Sequence, residues 1–388
     1  MTNILIFFIA FLVIVTFIQI LRVRELMADV EKRDVNEVTE KDNRNQSLLL
    51  GIVGFLFLAA CVWQYLAWGD LILPKASSQH GEIIDELMIF TMSLIIVAFF
   101  ILHLLLFWFG YKYRKGKGNE VAYYYPHNNK LEIIWTIAPT IVLTALILYG
   151  LNVWNEVTGP PDEEATVIEI YSKQFSWTAR YTGDDNQLGD ADFRLVAGKN
   201  ELGVVSNTTK EYLISEYLPT KISQIEQDIN NSRKFSEKKR LTENLKKLKE
   251  QKERIINYFA DNPKSSEKLL SAEDDIIVTD TVHLVVDKPV LLKFRSQDVI
   301  HSAYLPHFRV QMNCVPGMTT QFAFTPTQTT KEMKEQEGDD FEYVLLCNKI
   351  CGVAHYNMQM KFIVETQEEY DTWIASQKTL SEKLLTKN

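Results

Sequence analysis

Cysteine is scarce in this chain: there are four among 388 residues. Thiolate chemistry is therefore confined to Cys61, Cys314, Cys347 and Cys351. Cys61 lies inside an apolar run and Cys314 in Met312-Asn313-Cys314-Val315-Pro316-Gly317. Both read as packing residues, since a free cysteine behaves as a small hydrophobe. Of the seven histidines, five (His80, His103, His127, His283 and His307) have no partner at ligand spacing. Propeller-type repeats are missing, which argues against that architecture. Lysine and arginine are missing ahead of the first apolar run, and no small-x-small site follows it. That run reads as a retained helix rather than a cleaved signal peptide. Nothing in the net charge of −9 points to nucleic acid.

Apolar runs, by contrast, are plentiful in the first 154 residues: Ile4–Leu21, Leu48–Trp68, Met88–Gly110 and Ile133–Trp154. Each approaches the roughly 20 residues that cross a bilayer as a helix. The segment after the first run carries Arg22, Arg24, Lys32, Arg33, Lys41 and Arg44. The segment after the third carries Lys112, Arg114, Lys115, Lys117 and Lys130, whereas Gly69–Leu87 holds only Lys75. Positive-inside asymmetry puts both basic loops in the cytoplasm and everything after Trp154 outside.

The outer region reads as β-structure with an interruption. Residues 165–171, 276–286, 289–295, 320–325, 343–346 and 359–364 alternate and are bounded by turn residues, which predicts strands. Several short strands of this kind indicate a Greek-key sandwich or barrel. Residues 210–268 break the pattern, being rich in Lys and Glu. Ile222, Ile225 and Ile229, then Leu241, Leu245, Leu248 and Ile255, fall at helical spacing and predict an inserted helical hairpin. This insertion carries 14 basic and 10 acidic residues, while the rest of 154–388 carries 15 and 27. An acidic surface of that kind would steer a basic partner.

The most informative stretch is Cys347-Asn348-Lys349-Ile350-Cys351-Gly352-Val353-Ala354-His355-Tyr356-Asn357-Met358, with Asp298-Val299-Ile300-His301-Ser302 upstream. Two thiolates, two imidazoles and a thioether favour copper among first-row metals. Two thiolates in one short loop suggest two metals sharing sulfurs. Zinc is less natural, because its structural motifs favour a tighter C-x2-C. A disulfide in an oxidising compartment, with Met358 as core filler, is the competing reading.

The block resembles the dinuclear CuA loop of cytochrome c oxidase subunit II, C-S-E-I-C-G-x-x-H-x-x-M preceded by D-V-I-H-S. The resemblance spans about residues 86–200 and 275–375. It implies transmembrane helices followed by a cupredoxin-like Greek-key β-barrel, here carrying the helical insertion. It also implies that Cys347 and Cys351 bridge two coppers, with His301 and His355 capping one each. Met358 and the Lys349 backbone carbonyl would be weak outer ligands. The family's G-x-Q-W-x-W, whose first Trp is the electron-entry residue, reads Ser172-Lys173-Gln174-Phe175-Ser176-Trp177. The resemblance implies electron entry at Phe175 and Trp177, with Phe in place of that Trp, and sandwich core is the competing reading of both. Leu131-Glu132-Ile133-Ile134-Trp135-Thr136-Ile137-Ala138-Pro139 matches L-E-x-x-W-T-x-x-P, whose Glu, here Glu132, stands at a proton-pathway entrance.

Lys349 replaces the family's Glu between the cysteines, and Asn313 replaces a nearby Asp. In the family that Glu binds magnesium at the interface with subunit I, so the resemblance does not carry the magnesium over. The implied function is to take electrons from cytochrome c or a c-type haem domain. They pass to haem in subunit I, where oxygen becomes water and protons are pumped. No residue of this chain performs oxygen chemistry. The implied location is the bacterial inner membrane, with the C-terminal domain in the periplasm and lipid around the helices. The domain plan is two extra helices in 1–70, a helical hairpin in 86–154, a CuA domain in 155–375 containing the insertion, and a tail in 376–388. A standard oxidase needs neither the extra helices nor the insertion, and these are expected to meet another respiratory complex. A quinol oxidase subunit would lack the copper ligands, and a free copper carrier would lack the hairpin.

Overall fold

A computed structural model describes residues 2–31, 38–116, 121, 123–261, 269 and 271–386. Lys32, Arg33 and Lys117 of the basic loops, residues 262–268 of the expected insertion and the last two residues of the tail lie outside the described residues. The chain forms two compact units: residues 1–72 with 90–143, and residues 73–89 with 144–388.

The first unit is helical. It holds α1 (Thr2–Val30), α2 (Glu40–Trp68) and most of α3 (Gln79–Lys112) and α4 (Asn129–Val157). Among the described residues, Glu40–Leu71, Gln79–Lys112 and Asn129–Val157 are long and apolar enough to cross a membrane. α1 is a fourth helix of 29 residues, long enough for roughly 43 Å at 1.5 Å per residue. α2 opens with a reciprocal cap: Asp42 N–H donates to the Thr39 hydroxyl, and Thr39 N–H donates to the Asp42 carboxylate. Gly54 of α2 lies against Phe107 of α3, where a Cβ would stand 2.4 Å from the ring. The absent side chain lets the two helices approach closely. Phe55, Leu66 and Leu102 are largely exposed, as apolar side chains are when lipid or a partner helix takes the place of water.

The second unit is a sandwich of two five-stranded sheets. One runs β3 (Ile276–Val278), β2 (Ser176–Tyr181), β1 (Thr166–Lys173), β5 (Val290–Ser296), β8 (Thr320–Phe324). The other runs β4 (Thr281–Val285), β10 (Gln359–Glu365), β9 (Tyr343–Cys347), β6 (His301–Leu305), β7 (Val310–Cys314). The sheets are mixed: β1 pairs parallel to β5, and β10 parallel to β4. Phe294, Phe308, Tyr343 and Phe362 fill the space between them and are fully buried. Each such side chain contributes on the order of 1.5–3 kcal/mol by leaving water. This is the cupredoxin-like β-domain that the resemblance implies.

β1, β5, β8, β9 and β10 lie within two residues of the runs read from the sequence. The run 276–286, read as one strand, is two. A bend at Thr279–Asp280 carries the chain from one sheet to the other, so β3 and β4 face each other across the core. Three strands, β2, β6 and β7, were not read.

The insertion is built from α5 (Asn207–Glu211), a π-turn (Tyr212–Tyr217), α6 (Leu218–Asn231) and, after a short turn, α7 (Phe235–Asp261). Ile222, Ile225, Ile229, Leu241, Leu245 and Leu248 are half-buried along the α6–α7 seam. The base is anchored by a second core, where Leu213, Leu218 and Ile255 meet Leu195, Leu202 and Val204. The tail joins it: α10 (Leu380–Leu385) buries Leu380 and Leu384 there, after α8 (Thr330–Glu337) and α9 (Gln367–Ala375).

Residues 73–89 are bound to the β-domain. Ser77 N–H donates to His307 O at 2.8 Å, and Ser78 Oγ donates to Phe308 O at 2.8 Å. Arg309 forks onto Asp85, with Nε and Nη2 each 2.8 Å from a carboxylate oxygen. A two-point fork fixes orientation as well as distance.

Candidate metal centre

The site is built where β9 ends, β10 begins and β6 lies beside them. Cys347 is the last residue of β9, Met358 immediately precedes β10, and the loop between them is closed at its base by Cys347 N–H donating to Met358 O at 3.1 Å. His301 opens β6 and is fully buried opposite Cys314 in the β6–β7 ladder. Two pairs later on β6, Ala303 faces Cys347. A single-turn helix, His355–Asn357, directs the loop back so that His355 and Met358 face Cys351.

The donor atoms converge. Cys347 Sγ and Cys351 Sγ stand 3.9 Å apart. His301 Nδ1 is 3.7 Å from Cys347 Sγ, and His355 Nδ1 is 3.6 Å from Cys351 Sγ. Met358 Sδ is 3.8 Å from Cys351 Sγ, and Lys349 O is 3.2 Å from Cys347 Sγ. Two ligands bonded to one metal at about 2.0–2.3 Å with near-tetrahedral angles stand about 3.3–3.8 Å apart. The spacing is that of ligands around metal, and a disulfide needs its sulfurs at roughly 2.0 Å. Both cysteines are free. His301, Cys347 and Cys351 are the metal-capable group found among the described residues. Burial, then the neighbouring Cys347 sulfur, pushes the Cys351 thiol up to about 11. A bound cation reverses that balance, because a coordinating thiol is deprotonated.

Surrounding residues orient the donors. The Asp298 carboxylate meets His301 Nε2 at 2.9 Å, which leaves Nδ1 free to face the sulfur. It also accepts Gln174 N–H at 2.7 Å and Val299 N–H at 2.7 Å. Burial alone would raise the Asp298 carboxyl; the Gln174 amide, the His301 ring and the Val299 amide outweigh it and hold it below the usual carboxylate range. The Gln174 side-chain amide donates to Cys351 O. Sequence reasoning did not assign Asp298 or Gln174 a role, although both stood inside quoted motifs.

Phe175 packs against the copper-loop side of the core, and its ring lies over Gly352. Trp177 is buried in β2; its indole N–H donates to Met358 O at 3.4 Å and its ring meets His301 edge-on at 6.1 Å. Lys349 and Asn313 are exposed. Glu132 stands elsewhere, in the first turn of α4, where its carboxylate accepts Asn128 N–H at 3.0 Å. Cys314 is buried in the β-core, and burial pushes its thiol up to about 12. His283 stacks flat on Trp373 at 3.9 Å, and His307 meets Phe341 and Tyr343 edge-on.

Fold and site together define a membrane-anchored, cupredoxin-like protein with a thiolate–imidazole metal centre. Two family models match: "Cytochrome C oxidase subunit II, transmembrane domain" over residues 66–153, and "Cytochrome C oxidase subunit II, periplasmic domain" over residues 259–366. The chain belongs to the cytochrome c oxidase subunit II family. It is 28% identical over 273 residues to an alternative cytochrome c oxidase subunit 2 of Bradyrhizobium diazoefficiens, covering 70% of this chain and 72% of that protein. It is 23% identical over 337 residues to cytochrome c oxidase subunit 2 of Synechocystis, covering 85% and 82%. The periplasmic domain of subunit II of cytochrome oxidase from Bradyrhizobium japonicum superposes at a TM-score of 0.28 with 14% identity, covering 58% of this chain and 100% of that one. The chain is thus a membrane subunit of a haem-copper oxidase, with its copper-binding C-terminal domain on the outer side.

Proposed function

We propose that this subunit holds a dinuclear copper centre between Cys347 and Cys351 and relays electrons through it, one at a time, to haem in subunit I. The observation that carries the reading is the convergence of three further side-chain donors and one carbonyl on the two cysteine sulfurs. The residues fit the group: the two soft thiolates of Cys347 and Cys351, the imidazoles of His301 and His355, the Met358 thioether and the Lys349 carbonyl would hold copper. When bound, the dicopper centre supplies reversible one-electron storage with little change in geometry. The chain's own contribution is to keep that geometry. Asp298 fixes the His301 tautomer, the Gln174 amide clasps Cys351 O, and the buried β-core excludes water behind the sulfurs.

Electrons come in from cytochrome c or a c-type haem domain beside Phe175, with Trp177 as the inner aromatic. The support is their contact with Gly352, Met358 and His301. Glu132 collects protons at the inner mouth of a pathway into subunit I, in addition to capping α4. Magnesium receives no acidic ligand from this chain at Lys349 or Asn313, and Lys349 pairs instead with an acid of subunit I. The insertion meets another respiratory complex. In its support, Arg233, Lys234, Lys238, Lys239 and Arg240 crowd the hairpin turn, and among the described residues none of them forms an ion pair, whereas the stem cations Lys246, Lys247, Lys249 and Arg254 do.

Electron paramagnetic resonance of the copper-loaded oxidase tests the central claim. A hyperfine pattern from one electron shared by two equivalent coppers is expected; a single-copper pattern would overturn it. Phe175→Leu should slow electron arrival in stopped flow with that spectrum unchanged. Glu132→Gln, which keeps an acceptor for Asn128 N–H, should lower turnover without disturbing copper.

A further inference from the structure

A cavity of about 470 Å³ lies in the second unit, where the outer ends of α3 and α4 meet the β-domain. This is within the range of roughly 300–1,000 Å³ typical of small-ligand sites. Its walls are apolar: Leu87 from α3, Val153 and Val157 from α4, Leu291 from β5, Met312 from β7 and Phe322 from β8. Trp154 also lines it and is 64% exposed, as an aromatic anchor at a membrane surface is. The positive-inside topology places both helix ends at the outer face of the bilayer.

What the cavity lacks identifies its occupant. Among the described residues, the buried side-chain polar atoms without a partner belong to His80, Asp274, Asp275, His307 and Gln328, none of which lines it. Gln311 and Gln321 stand exposed at the rim. The one cation, Arg309, is already committed to Asp85, Pro306 O and Pro74 O. A quinone or another ligand with buried carbonyls would leave its polar atoms unpaired inside such walls. A hydrocarbon chain needs only the apolar lining, with its headgroup left in the interfacial water.

We propose that this cavity holds an acyl chain of one outer-leaflet phospholipid, seated between the hairpin's outer end and the β-domain. The site is separate from the metal centre and does not depend on it.

Gly150 lines the same cavity, and a Cβ built there meets nothing within 4 Å. A Gly150→Phe side chain therefore starts from open space on the cavity wall and is the substitution chosen to occupy it. The assembled oxidase, purified in mild detergent, is examined by native mass spectrometry with and without this substitution. The expected result is loss of one tightly held phospholipid per complex in Gly150→Phe, with subunit composition and copper spectrum unchanged. Equal lipid counts in the two complexes would overturn the proposal, as would a quinone as the species lost. A photoactivatable phenylalanine analogue at position 150 gives a second measurement on the assembled complex. Cross-linking to phospholipid supports the site, and cross-linking to another subunit shows that protein fills it.

Discussion

The Asp298 carboxylate lies 2.9 Å from His301 Nε2 while the opposite ring nitrogen of the same histidine faces Cys347 Sγ at 3.7 Å. One carboxylate thus sets which ring nitrogen faces the sulfur and is tied, through the Gln174 backbone amide, to the aromatic segment beside the loop.

Asp298→Asn keeps the size of the side chain and removes its charge. Outer partners of metal-bound histidines are worth about 10–100-fold in metal affinity. The variant should lose copper at correspondingly lower chelator concentration, and its spectrum should shift. Copper retention equal to the parent's under chelator titration would show that Asp298 does not position His301.

Gly352 has φ +144°, and a Cβ there would stand 2.8 Å from the Phe175 ring and 2.9 Å from the Gln174 amide nitrogen. Gly352→Ala should therefore cost on the order of 1–3 kcal/mol in backbone strain and push Phe175 off the loop. Copper content and the rate of electron arrival should fall together. An unchanged rate at full copper content would separate Phe175 from electron transfer.

Asp275 is fully buried and shares Arg180 with Glu169, while its Oδ1 has no hydrogen-bond partner among the described residues. Burial, opposed by Arg180 and the Gly189 amide, raises its carboxyl from 3.8 to about 7. The folded state then holds the proton more tightly than the unfolded one. Its contribution is fully present below about pH 4 and is lost as pH rises towards about 7, on the order of a few kcal/mol. Asp275→Asn, which imitates the protonated form, should flatten that slope and be the more stable protein at pH 8. Urea unfolding at pH 5 and pH 8 reads this directly; parallel profiles for parent and variant would refute it.

Leu384 of α10 is 1% exposed in the core that anchors the insertion. Leu384→Ala should destabilise by about 2–5 kcal/mol. Hydrogen exchange should show faster opening of α6 and α7, with the copper spectrum retained. If exchange accelerates only within α10, the tail and the insertion do not share a cooperative core.

Sequence alone settled the elements whose cause is local. The apolar runs behind α2, α3 and α4 are long enough to need no tertiary context, because a bilayer-length stretch has one comfortable environment. The α6–α7 seam was legible from Ile222, Ile225 and Ile229, and the spacing of the cysteines, histidines and methionine marked the side chains that the fold brings together. Tertiary structure decided what depends on distant partners. The run 276–286 looks like one strand because both of its halves are apolar, and only the two sheets it must serve break it at Thr279–Asp280. β6 went unread because His301, Ser302 and Ala303 are buried together, which erases the alternation that marks a half-buried strand. The tail could not be seen as a docked helix, since Leu380 and Leu384 acquire meaning only against Leu213 and Leu218. Asp298 reaches His301 across only three residues, but Gln174 joins Asp298 and Cys351 by hydrogen bonds across 124 and 177 residues of chain, a separation that no local pattern encodes.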